Sequence, residues 1–198
     1  MSRPPRLSLE DLVLPDPRPG VPFADSEDVH AEDILTANNV PLTAEGLQAA
    51  LDSGIEVVQG AAARVAGARG ERAVLDTLRT LAADGSGDTT RSAAAYALAR
   101  LDEPEGVEAL IACLELPIAA YIAPAQAAGS LARLGDTRGL TVIERSLRSS
   151  NEIVRAVATK QLPFFGEAGR PLLEAALDDS DPEIARQARI LLDEDSAP

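Results

Sequence analysis

Apolar positions along the chain return at a helical spacing within segments, and the segments return at about thirty residues. Ala94, Ala95, Ala97, Leu98 and Leu101 have counterparts in Ala127, Ala128, Ser130, Leu131 and Leu134. Leu98 lies 33 positions before Leu131, which lies 31 before Leu162, and a step of 33 back from Leu98 meets Val65. A repeat of this length marks an array of stacked helical units, each too small to bury its own apolar face.

The pattern predicts two helix types in alternation. Alanine-rich helices are expected at 55–68, 89–101, 121–134, 151–164 and 182–192. Leucine-rich, one-sided helices are expected at 71–83, 105–116, 138–148 and 168–178. Before them, Val29, Ile34 and Leu35 mark a short helix stopped by Asn38-Asn39, and Thr43 opens another that Ser53-Gly54 closes. Asp88, Asn151 and Asp181 stand where N-caps belong, and Pro182 falls at a first helical position, where its missing N–H costs nothing. The fold expected is therefore all-α, a solenoid of five to six repeats over 27–194.

The segment 1–26 differs in kind. Pro4, Pro5, Pro15, Pro17, Pro19 and Pro22 prevent a helix from running through it, and with its acidic residues it predicts a flexible tail. Leu7, Leu9, Leu12, Val13 and Leu14 form an apolar strip inside it. Three readings stand open for the strip: docking onto another protein, folding back over the end of the array, or plain disorder.

The repeat units resemble the HEAT family, in particular the short bacterial type of the phycobiliprotein lyases. The resemblance rests on Asn151-Glu152-Ile153-Val154-Arg155-Ala156-Val157-Ala158, on Ser130-Leu131-Ala132-Arg133-Leu134-Gly135-Asp136, and on the starts Asp181-Pro182-Glu183-Ile184-Ala185-Arg186 and Thr90-Arg91-Ser92-Ala93-Ala94. It implies that Arg91, Arg155 and Arg186 each reach an Asp in the adjacent repeat. It also implies that the second helices line a concave docking face. One unit departs from the pattern, Leu116 to Pro124, where Pro124 replaces the arginine and Tyr121 and Ile122 offer apolar surface. Local repacking and a partner-contacting patch are the two readings of that break.

Composition narrows the function. The chain has 198 residues and a net charge of −14, which argues against a nucleic-acid partner because affinity for phosphates comes from Lys and Arg. No apolar stretch approaches the roughly twenty residues that span a bilayer, and the expected location is cytoplasmic. The single Cys113 lies in an apolar run and reads as a buried, inert thiol. A metal site needs converging His or Cys ligands. With one cysteine and one histidine, His30, none is expected, and the iron-binding His-Glu pairs of some repeat enzymes are absent. No nucleophile–base set, phosphate loop or cofactor motif stands out, so an enzyme is not expected.

What remains is binding. Stepping by 33 along the second helices aligns Arg72, Asp76 and Arg79 with Glu105, Glu108 and Glu115, then with Arg138, Arg145 and Arg148. Charges of alternating sign either pair laterally or, in the strip Arg138, Arg145, Arg148 and Arg170, receive an acidic peptide. A non-enzymatic scaffold or adaptor that binds another protein is the function expected. The alternative, implied by the resemblance, is an accessory lyase or chaperone-like factor that handles a cofactor or modified protein, which a deep apolar pocket lined by Tyr121 or Phe164 would favour. Oligomeric state is left open.

Overall fold

The computed structural model describes residues 9–16, 18, 21, 23–84, 87–117 and 122–195. The regular elements among these residues are all helical. They form two compact units that divide between Ala109 and Leu110.

The first unit contains α1 (Phe23–Ala37), α2 (Ala44–Leu51), α3 (Glu56–Arg69), α4 (Leu75–Asp84), α5 (Asp88–Arg100) and the start of α6 (Pro104–Leu114). Helix α3 is central, packed against α1, α2 and α5. That position explains its composition. Ala61, Ala62, Ala63, Val65 and Ala66 are all buried, and small side chains let its neighbours approach on several sides. Helix α4, by contrast, buries one stripe through Leu78, Leu81 and Ala82. In this unit the alanine-rich α3 thus takes an inner position and the leucine-rich α4 an outer one.

The ends follow local chemistry. Thr43 caps α2 by accepting from Gly46 N at 3.2 Å. Helix α1 stops where Asn39 turns left-handed (φ 56°), and α3 stops at left-handed Gly70 (φ 69°), where a Cβ would be strained. The expected cap Asp88 is instead the first residue of α5, and Gly87 is its N-cap without a side-chain bond. The Glu56 carboxylate crowds Gly87, where an added Cβ would lie 2.2 Å from it, while Asp88 turns to Arg91.

The second unit holds α7 (Ala123–Arg133), α8 (Leu140–Ser146), α9 (Glu152–Gln161), α10 (Arg170–Ala175) and α11 (Pro182–Asp195), with the end of α6. Helix α9 packs against α7, α8 and α11. Asn151 caps it, accepting from Ile153 N at 2.9 Å, and Asp181 accepts from Glu183 N at 2.8 Å at the head of α11. Helix α9 ends at Gln161, three residues before the expected boundary, because Pro163 lacks an N–H and the chain continues as a 3-10 segment, Leu162–Ala168. Helices α4 and α8 each begin with a 3-10 turn, Arg72–Val74 and Thr137–Gly139.

Candidate functional site

The sequence singles out charged side chains on the second helices, and the two units use theirs differently. In the first unit the charges neutralise one another. Arg79 on α4 donates to Glu105 at 2.8 Å, to Glu103 at 2.6 Å and to Asp76 at 3.2 Å. Arg72 donates to the Leu101 carbonyl at 2.6 Å and also pairs with Glu103. Glu105 draws the Arg79 guanidinium above its ordinary range against the cost of desolvation, with Glu103 and Asp76 adding to the effect. Arg79 in turn holds the Glu105 carboxyl below its own ordinary range. The lateral pairing of Arg79 with Glu105 is therefore present.

Its hub, Glu103, was not among the expected residues. It sits in the turn Asp102-Glu103-Pro104, which reads as punctuation between helices. Asp102 turns left-handed there (φ 61°), and Glu103 takes both arginines. Its place 31 residues after Arg72, one repeat on, was the signal available in the sequence. Glu108 on α6 and Glu115 just beyond it are exposed.

In the second unit the arginines divide into two pairs. Arg138 folds back on its own turn, 2.7 Å from Asp136, and holds that carboxyl below its ordinary range. Arg170 reaches Glu174 one turn along α10 at 3.2 Å. Arg145 and Arg148, at the end of α8, are exposed, and neither forms an ion pair among the described residues. Ile122 is half-buried at the N-cap of α7, and Pro124 is buried in its first turn. Tyr121 lies outside the described residues.

The three arginines expected to reach an Asp one repeat away do not behave alike. Arg155 does, gripping Asp179 through Nε at 2.9 Å and Nη2 at 3.0 Å. Arg91 pairs with Asp88 at 2.9 Å and Arg186 with Glu183 at 2.9 Å, each three residues back on its own helix. An acidic residue in the first turn competes for the guanidinium at far shorter range along the chain.

The N-terminal strip is anchored by its backbone. Asn38 accepts from Val13 N at 2.8 Å and donates to the Val13 carbonyl at 2.7 Å. Leu9, Val13 and Leu14 are nonetheless 73%, 49% and 61% exposed. The strip thus lies against the end of α1 with these apolar side chains outward. Leu7 lies outside the described residues. Helix α1 itself begins at Phe23, inside the segment 1–26.

Among the described residues no cluster of three or more His, Cys, Asp or Glu side chains could hold a metal ion, and no helix is long and apolar enough to cross a membrane.

Paired helices joined by capped turns at a thirty-residue period define a helical-repeat protein. Residues 44–123, from the start of α2 to the start of α7, match the family described as HEAT repeats. HEAT repeats commonly serve as scaffolds for protein interaction. A comparison with curated proteins gives no match.

Proposed function

We propose that the chain is a non-enzymatic adaptor of the cytoplasm that receives an acidic segment of another protein on the second-helix face around α8. One observation carries this reading: Arg145 and Arg148 are exposed and without an ion pair among the described residues, in a chain of net charge −14. Elsewhere on the second helices the arginines already have acidic partners, as Arg72 and Arg79 do in Glu103 and Glu105. An arginine on a short, packed helix is a good receptor for carboxylates because its planar fork can take both oxygens of one group. Rim charges of this kind set partner choice and association rate more than total affinity.

The test is capture of partners from native cell extract by the wild-type chain and by the double variant Arg145→Glu/Arg148→Glu. The wild type should retain a partner whose binding weakens as salt rises through the range where screening shortens to about 8 Å. The double variant should lose it while keeping its helical signal. If every specific partner stays on the variant, α8 is not the docking site.

A further inference from the structure

Helix α1 is acidic and covers an arginine-rich surface of the first unit. Its sequence contains Asp25, Glu27, Asp28, Glu32 and Asp33 and no Lys or Arg. Glu27 lies 2.9 Å from Arg64 of α3, Asp28 lies 2.5 Å from Arg100 of α5, and Glu32 accepts twice from Arg69 of α3 at 3.0 and 3.1 Å. Arg64 and Arg100 also flank the ring of Tyr96, their guanidinium carbons 5.7 and 5.6 Å from its centroid. Tyr96 is thus the floor of a two-arginine cradle, and the cradle grips two adjacent carboxylates of α1.

Three features set this contact apart from ordinary stacking. In a helical array each unit meets its nearest neighbours, yet Asp28 reaches past α3 to Arg100 of α5. Among the residues of α1 whose side chains are described, the buried apolar ones are Ala31, Ile34 and Leu35, while Glu27 and Asp28 are held by ion pairs. That contact is also imperfectly matched: Asp28 Oδ1 is buried without a hydrogen-bond partner among the described residues. A polar contact left partly unsatisfied is weaker than its number of ion pairs suggests.

We propose that Arg64, Tyr96 and Arg100 form a receptor site for an acidic amphipathic helix, and that the N-terminal half of α1 is its built-in occupant, exchangeable for such a helix from a partner protein. The charge pattern of α1 states what the partner must offer: two adjacent carboxylates for the cradle and a third one turn on for Arg69.

The experiment uses the full chain and a fluorescent peptide with the sequence of residues 23–37. Hydrogen exchange of the wild type should show amides at 27–31 exchanging at least tenfold faster than those at 61–66 and 93–98. Excess peptide should speed exchange at 27–31 further, while a peptide with its acids changed to amides should not. The variant Glu27→Gln/Asp28→Asn should bind the acidic peptide at least tenfold more tightly than the wild type, and adding Arg64→Ala/Arg100→Ala should abolish that gain. Exchange at 27–31 as slow as in α3 and α5, or unaltered by saturating peptide, would overturn the proposal. So would equal peptide affinity in wild type and opened variant, or a dimer of the variant that keeps peptide out. Should the variant lose its helical signal, the two exchange measurements on the wild type decide alone.

Discussion

Arg155 on α9 and Asp179, just before α11, form a two-pronged ion pair across adjacent repeats, with side chains 13% and 12% exposed. Arg155 also donates to the Ser149 carbonyl at 3.0 Å, so one guanidinium ties the head of its own helix to the next repeat. Removing one partner of a largely buried pair leaves the other uncompensated. Asp179→Ala is expected to lower the unfolding free energy by about 2 kcal/mol, below the range for fully buried pairs because some water reaches this one. Arg186→Ala, which breaks an exposed pair on one helix, should leave stability unchanged within error. Urea titration of both variants checks the contrast, and equal effects would show that the Arg155 contact holds nothing together.

The same pair sets a pH dependence. The hydrogen bond from Arg155 holds the Asp179 carboxyl below its ordinary value of 3.8, against the opposing effect of burial. A carboxyl lowered on folding stabilises the folded state above its unfolded value, and that contribution disappears as pH falls through the folded value. The stability difference between wild type and Asp179→Asn should therefore be constant from about pH 8 to 5 and close below about pH 4. Denaturant midpoints measured at intervals down to about pH 2 test it; a gap that does not narrow at all below about pH 4 rules out Asp179 as the source.

How much of this was legible in the sequence depended on range along the chain. Asn151 and Asp181 could be assigned as caps because a cap and the amide it satisfies lie two residues apart. Asp88 is instead the first residue of α5 and turns to Arg91, leaving Gly87 at the cap position. The types of α3 and α4 were legible because burial writes itself into composition at every turn. Glu103 was hidden for the opposite reason: a single turn residue carries no periodic signal, and only the fold brings it to Arg72 and Arg79. The acidic face of α1 was visible, but the cradle it fills comes from Arg64, Tyr96 and Arg100 on two other helices.

Asn38 is 7% exposed and bonds both backbone groups of Val13 and, at 2.7 Å, the Ile34 carbonyl. One side chain thus ends α1 and fastens the strip 9–16 to it. Asn38→Ala should cost about 2 kcal/mol, since the Ile34 carbonyl loses a partner in a buried setting. It should also release the strip. Limited proteolysis with a protease that cuts at Leu should cleave at Leu12 or Leu14 at least tenfold faster in the variant. Unchanged cleavage would mean that something other than Asn38 secures Val13.

Glycines within the helices separate close packing from mere helix propensity. In an open helix interior, Gly→Ala stabilises by about 1 kcal/mol, because glycine loses more backbone freedom on folding. Gly60 in α3 meets that condition: an added Cβ would lie 4.0 Å from the Ala93 side chain, an ordinary contact. Gly67, two turns further along the same helix, does not, as its Cβ would lie 2.8 Å from Ala97 Cα on α5. At Gly106 on α6 the Cβ would fall 2.3 Å from Ala99 N and 2.7 Å from the Ala95 carbonyl oxygen. Backbone cannot swing aside as a side chain does, so the helices would have to separate, at about 1–3 kcal/mol for overpacking. Gly60→Ala should thus raise the melting temperature, and Gly67→Ala and Gly106→Ala should lower it. Thermal melts of the three single variants decide the matter: a Gly67→Ala chain as stable as Gly60→Ala would mean that α3 and α5 are not in contact at this point.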